Sequence, residues 1–352
     1  MKNKKAFEIQ FNWIFVLIAG AAILTIFALI IFKQKSLSES STNSIALRSI
    51  ESVVAGTSVS TDTSSLITMP DLSIEVDCGK ISIDKISKQY PRLVLFSPSL
   101  IKGNKIIAQT LSFSEPYKSS NLLFMTSQQI KYIPIGNSDL IKSIKKLLPS
   151  EINNETFLSY DQSKIRNSNN YKVRFVFDNI DPTSLSFPSS LSKMPAGDVT
   201  ALKITGNIDK GKIEFYDNKI VPTGSIFVIK GTSYYLGKAA LIGAIYADTA
   251  EHYECNMKNV FARHDIVTKV YIDRTNNLIN DFSVDSDGNF LISNDCKNAY
   301  TSALTPLSSI KSTSKNLAGT LSETERNNLA DAAESLKIQN KEAQKFSCPM
   351  IY

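Results

Sequence analysis

Histidine is almost missing from this 352-residue chain, which has only His252 and His264. A Ser-His-Asp or Cys-His mechanism would need one of them as its base. His264 falls inside an apolar helical stripe and reads as a hydrogen-bonded core histidine. Its neighbours Arg263 and Asp265 point to other faces of the helix and cannot form a relay with it. His252 stands at a helix start and reads as solvated. The nucleophile motif G-x-S-x-G is absent, as are Gly-rich phosphate loops of the Walker or dinucleotide type. No catalytic or cofactor-binding residue is assigned on this basis, and no cofactor is expected.

Cysteine is scarce as well. The chain has Cys78, Cys255, Cys296 and Cys348, and no two of them make a C-x-x-C pair. A zinc site would need ligands from distant places, so no metal site is expected. An even, widely spaced set reads better as two disulfides in an exported domain. Of the three connectivities, the expected one joins Cys78 to Cys348 and Cys255 to Cys296. It would tie down a chain end that otherwise frays. It also requires the long helix after Cys255 to break or bend near Arg274 to Asn277.

Charge of one sign is lacking too. The formal net charge is +6, but Lys2, Lys4, Lys5, Lys33 and Lys35 against Glu8 supply +4 of it, leaving +2 for everything after residue 35. Both signs are scattered, which excludes the basic footprint of a nucleic-acid binder. Asp285 to Asn289, DSDGN, resembles the start of a calcium loop. Counted from Asp285, however, its glycine comes fourth instead of sixth, and Cys296 occupies the twelfth place where a bidentate carboxylate is needed. It reads as a plain Asp-Gly turn, and Asp71, Glu75 and Asp77 read as the solvent face of a hairpin.

What the chain does have is one long hydrophobic run, Trp13 to Phe32, in which only Thr25 and Trp13 can hydrogen-bond through their side chains. As a helix it would be about 30 Å long, the thickness of a bilayer's hydrocarbon core. A transmembrane helix in contact with lipid is expected. Lysines and the α-amine before it, and a long Ser/Thr stretch after it, place the N-terminus in the cytoplasm and the bulk of the chain outside the cell membrane. The run is too long for a signal-peptide core, and lysines stand where a cleavage site should be, so an uncleaved anchor is expected.

The expected organisation is a basic leader at 1–12, the span at 13–32, a Ser/Thr-rich stalk or linker at 33–65, a mixed α/β sheet region at 66–235, and a helical region at 236–352 packed on the same domain. Ala46, Ile50, Val53 and Val54 share a helical face that would break at Gly56, although a disordered tether fits the composition as well. Period-two patterns predict a hairpin turning at Cys78-Gly79, and apolar runs predict strands at Leu93–Phe96, Ile106–Phe113, Leu122–Met125, Val173–Phe177, Val199–Ile204, Ile213–Phe215 and Ile220–Ile229. Asp217-Asn218 and Pro222 to Gly224 read as turns. Ser138 should cap a helix ending at Pro149, and helices follow at Ala239–Ala247, from Tyr253 through Tyr271, at Asp295–Ser312 and at Ser322–Phe346. The fold class is α+β, a mixed α/β sheet domain with a helical C-terminal part. Asn154 carries the only glycosylation sequon, Asn-Glu-Thr.

Ala6 to Leu24, Tyr235 to Tyr271 and the ending Cys348-Pro349-Met350-Ile351-Tyr352 resemble a family of uncharacterised single-pass membrane proteins of small-genome archaea. The resemblance implies compartment and lineage and transfers no catalytic residue. The basic leader, apolar helix and external head resemble, more faintly, the type IV pilin and archaellin class, but Glu8 follows Phe7 directly and does not fall where the pilin glutamate does. The expected function is a membrane-anchored extracytoplasmic domain with a structural or interaction role at the cell surface, its partner a surface protein or a glycan. The alternatives are an anchored glycan-processing hydrolase working through paired carboxylates, and a pilin-like filament component.

Overall fold

The computed structural model describes residues 4–57, 60–84, 86–91, 93–222, 224–280 and 294–352, without the side chains of 4–16, 19, 35–42 and 57. The turn expected at Asp285 to Asn289 lies outside the described residues. The chain divides into two compact units, Met1–Glu51 and Ser52–Tyr352. Helix α1 (Lys4–Thr57) is continuous and ends beside Gly56. Leu17, Ile18, Leu24, Phe27 and Phe32 on it are exposed, and Thr25 satisfies its hydroxyl by donating to the Ala21 carbonyl at 2.8 Å. Among the described residues no helix is long and apolar enough to cross a membrane. Trp13 to Val16 and Ala19, which belong to the expected span, lie outside the described side chains.

In the second unit, strands β1 (Ser64–Asp77), β2 (Lys80–Ile83), β3 (Ile86–Gln89), β4 (Leu95–Phe96), β5 (Leu100–Ser114) and β6 (Lys118–Ser127) form one sheet in the order β3-β2-β1-β5-β6-β4. The hairpin turns at Cys78-Gly79 as expected, with Asp77 opposite Lys80 and Gly79 at φ +68°, a conformation glycine adopts without strain. β1 starts well before the expected Leu72. Pro70 disguised it, and the structure accommodates that proline with a register shift against β5 between Thr68 and Leu72. β2 pairs only as far as Ile74, so Pro70 also lies where β1 has a free edge.

A second sheet holds β7 (Ile130–Ile135), β8 (Lys172–Asp178), β9 (Val199–Gly206), β10 (Lys210–Val221) and β11 (Gly224–Leu236) in the order β11-β10-β9-β8-β7, with α2 (Asp139–Leu147) between β7 and β8 in the chain. β7, β8 and β9 run parallel, and β9, β10 and β11 antiparallel. Ser138 caps α2, its hydroxyl accepting from the Ile141 amide at 3.3 Å, and Leu140, Ile141 and Ile144 are buried. β7 carries Pro134, a poor strand residue, and it is an outermost strand of its sheet. Asp217-Asn218 is not a turn: β10 runs through it. Asn218 is buried there, accepting from the Gly197 amide at 2.7 Å and donating to the Pro195 carbonyl at 3.3 Å, so a neighbouring loop satisfies the amide and the strand continues. The chain reverses between Val221 and Gly224, at the expected Pro222 to Gly224 turn, which divides the expected strand Ile220–Ile229 between β10 and β11.

Four helices complete the unit: α3 (Lys238–Tyr246), α4 (Ala250–Asn280), α5 (Asn294–Gly319) and α6 (Glu323–Lys345). α3 is apolar on every side and buried from Ala239 to Tyr246, touching β5 and β6 of one sheet and β11 of the other. The α4 stripe buries Tyr253, Met257, Val260 and His264. Ser322 caps α6 by accepting from the Glu325 amide at 3.2 Å. On the opposite face of the second sheet, Ile133, Val173, Phe175, Phe177 and Phe227 form a separate core. The expected class, mixed α/β sheets with a helical C-terminal part, is the observed one.

The cysteines form two disulfides but not in the expected pairing: Cys78 joins Cys255 and Cys296 joins Cys348, with Cα separations of 6.1 and 5.7 Å. The expected pairing needed α4 to break near Arg274 to Asn277, and α4 is unbroken there. α5 and α6 are about 39 and 35 Å long, joined by a short connection. Two packed helices of matched length bring the end of the second back to the start of the first, which is where Cys348 meets Cys296. The tail is fastened to both helices, with Tyr300 of α5 donating to the Pro349 carbonyl at 2.8 Å and the Ile351 amide donating to Asn340 Oδ1 of α6 at 2.8 Å.

Candidate functional site

β8 alternates with period two. Val173, Phe175 and Phe177 enter the core on one face, while Lys172, Arg174 and Val176 face the other way. Arg174 is only 1% exposed. A guanidinium so buried must find acceptors, and Arg174 finds them at the C-terminal end of α3, where helix carbonyls are unpaired and carry partial negative charge. Its Nη2 donates to the Ala244 carbonyl at 3.1 Å and to that of Ala247, and its Nη1 donates to Thr200 Oγ1 at 2.9 Å.

Immediately after α3, Asp248 supplies the countercharge. Its Oδ2 accepts from Lys172 Nζ at 2.6 Å and from both the amide and the hydroxyl of Ser99 at 2.8 Å, while its Oδ1 lies 3.9 Å from Arg174 Nη1. Burial alone would raise the Asp248 carboxyl, but Lys172 and Arg174 outweigh it and hold the group below the usual aspartate range. Ser99 also accepts from the Val76 amide at 2.9 Å. The cluster thereby links β1, the β4–β5 loop, β8 and the α3–α4 junction. Its chemistry is that of a fastener: the Ser99 hydroxyl donates to a carboxylate kept ionised, which makes Asp248 a poor base for a serine nucleophile.

Over this cluster lies a groove of about 700 Å³ lined by Ser99, His252 and the Cys78–Cys255 disulfide. Glu75 and Asp77 are exposed on its rim, where β1 alternates them with buried Ile74 and Val76. Glu251 and Lys80 also line it. His252 is not solvated as expected but 8% exposed. Thr249 caps α4 by accepting from the His252 amide at 3.2 Å, which sets the first turn of the helix against the sheet. Burial lowers the His252 pKa, with Asp248 and Asp77 opposing. His264 is the core histidine expected: its Nδ1 lies 2.7 Å from Ser314 Oγ, its ring stacks on Tyr117, and burial lowers its pKa to about 4.

Three other places were candidates. Asn154, the sequon residue, is half-buried and donates to the Ile152 carbonyl at 3.0 Å beside β7. Glu115 has a pKa raised to about 6 by burial, with Lys337 opposing, and lines a cavity of about 210 Å³ together with Asp62. That volume is below the roughly 300 Å³ at which ligand pockets begin, and the charge raising Glu115 is Asp209, not Asp62. The end of the β10–β11 hairpin exposes Ile220, Ile226 and Ile229 at 59, 45 and 52%. Among the described residues no group of three or more His, Cys, Asp or Glu is placed to hold a metal ion. No family model, curated protein or solved structure matches this chain.

Proposed function

We propose that this chain is a membrane-anchored extracytoplasmic domain with a structural or interaction role at the cell surface. The observation that carries the interaction role is the end of the β10–β11 hairpin, which exposes Ile220 and Ile229 on one face and Ile226 on the other. Apolar surface exposed on both faces of one hairpin end suits a partner that grips the hairpin. Two disulfides support an oxidising compartment for the folded unit. The exposed Leu, Ile and Phe side chains between residues 17 and 32 support lipid as the surroundings of that part of α1, because each would cost about 1.5–3 kcal/mol in water relative to an apolar medium.

The test is topological. Protease added to intact cells removes epitopes placed beyond residue 60 and spares one in the first ten residues, which gives the N-terminus inside and the C-terminus outside. Protection of a C-terminal epitope in intact cells would overturn the compartment.

A further inference from the structure

We infer that the Cys78–Cys255 disulfide is a thiol-exchange site that reacts selectively with a cationic aminothiol, while Cys296–Cys348 is a permanent structural bond. Thiol–disulfide exchange needs access of the attacking thiolate to a sulfur. Cys78 and Cys255 are both half-exposed and line the 700 Å³ groove. Cys296 and Cys348 are 2 and 7% exposed. A thiol entering the groove therefore reaches the first bond and not the second.

The charge of the groove selects the thiol. Glu75, Asp77 and Glu251 against Lys80 leave its lining net negative. An anionic thiol meets repulsion there, and an aminothiol meets attraction. His252 adds no positive charge near neutral pH, because burial lowers its pKa. It stands one helical turn before Cys255, on the same face of α4.

In the exchange, the aminothiol's thiolate attacks one of the two sulfurs and the Cys78–Cys255 bond breaks. The departing cysteine thiolate takes a proton from solvent, and a mixed disulfide remains. A second aminothiol thiolate attacks the small-molecule sulfur of that mixed disulfide. This releases the oxidised aminothiol and the second cysteine, so two electrons pass from two aminothiols to the protein bond. Opening the bond frees the β1–β2 turn from α4. The reaction is a property of the folded unit and holds whichever side of a membrane that unit occupies.

The experiment treats the full chain in detergent micelles with cysteamine, 2-mercaptoethanol or 2-mercaptoethanesulfonate, each at the same thiolate concentration. Alkylation and peptide mapping follow each disulfide over time. The expected result is that Cys78–Cys255 opens first with all three, and that cysteamine outpaces the sulfonate by about tenfold at low ionic strength, the gap closing in 1 M salt where the screening length is about 3 Å. Glu75→Gln, Asp77→Asn and Glu251→Gln together remove the preference, and Lys80→Gln alone, which leaves the buried ion pair of Lys172 with Asp248 untouched, widens it. Simultaneous loss of both disulfides, or Cys296–Cys348 opening first, overturns the exchange site. Equal rates for the three thiols, or a preference that survives the triple substitution, overturn the aminothiol assignment.

Discussion

Replacing Asp248 by Asn keeps the shape of the side chain and removes the anion paired with Lys172 and Arg174. Both cations are buried, at 5 and 1% exposure, so neither can recover its hydration by turning outward. Removing one partner from a buried pair costs about 3–5 kcal/mol, because an uncompensated charge stays behind. Here one carboxylate serves two cations, and the Ser99 amide and hydroxyl lose a charged acceptor as well. An expected loss of about 5 kcal/mol follows from the upper end of that range, lowering the melting temperature by about 8 °C for a unit of this size.

Urea and thermal unfolding of the native chain and Asp248→Asn at pH 7 measure this directly. The triple replacement Lys172→Met, Arg174→Met and Asp248→Leu should recover only part of the loss, because it removes the charges but leaves the Ala244 and Ala247 carbonyls and the Ser99 amide buried without their partners. The pH dependence adds a second check. The folded carboxyl lies below the ordinary aspartate value of about 3.9, so its contribution is complete above about pH 4 and disappears as pH falls through the folded pKa. The difference between the native chain and Asp248→Asn should therefore narrow only below about pH 4. A loss under 1 kcal/mol at pH 7 would refute the reasoning, since it would mean the cations are hydrated in the folded state.

His264 has a folded pKa near 4 against about 6.5 unfolded, so unfolding takes up a proton as pH falls between these values and stability declines over that range. Glu115, raised to about 6, acts with the opposite sign between about pH 4.5 and 6, so His264→Gln should make the decline on acidification shallower there, read by urea midpoints against pH; an unchanged profile would count against the His264 shift. Gly211→Ala places a methyl 2.5 Å from the Thr205 carbonyl and the Tyr235 hydroxyl and should cost about 1–3 kcal/mol, whereas Gly319→Ala meets open space and should stay within about 0.5 kcal/mol. Ile220→Ser with Ile226→Ser and Ile229→Ser should also leave stability nearly unchanged, as surface positions do, and a large loss would show that these side chains pack for the fold and are not a contact surface. Non-reducing peptide mapping should recover Cys78 linked to Cys255 and Cys296 to Cys348; the first closes a loop worth about 5 kcal/mol and the second about 4 kcal/mol by loop entropy.

The elements that could be read from the sequence were those whose signal is local. α3 is apolar on every side, α4 repeats its apolar residues every three or four positions, and Ser138 and Ser322 sit in front of their helices as caps. Nothing beyond a few neighbours is needed to recognise these. β7 and the start of β1 were hidden because Pro134 and Pro70 are poor strand residues in isolation. They are tolerated because of position within the sheet, at an outermost strand and at an unpaired stretch beside a register shift, and that position depends on strands far away in the chain. Asn218 was misread for the same reason: its loop partners, Gly197 and Pro195, belong to a different segment.

The charged cluster was harder still, because each member looks ordinary where it stands. Asp248 follows a helix, Ser99 sits in a loop, and Lys172 begins a strand. Only Arg174 carried a warning, since a guanidinium between Val173 and Phe175 in an apolar strand points into a core and must have a partner there. Following that requirement would have led to the search for a buried carboxylate and to Asp248, 74 residues later in the chain. The cysteine pairing failed on a different step. Loop entropy favours fastening a tail but does not choose the partner, and the choice is made by helix lengths. α5 and α6 match within about 5 Å, so Cys348 returns to Cys296 without any bend in α4, and Cys255 is left for the hairpin turn at Cys78. The expected helix Asp295–Ser312 stops seven residues short of the end of α5, so the expected lengths, about 27 and 37 Å, do not match, and the observed connectivity was not legible from them.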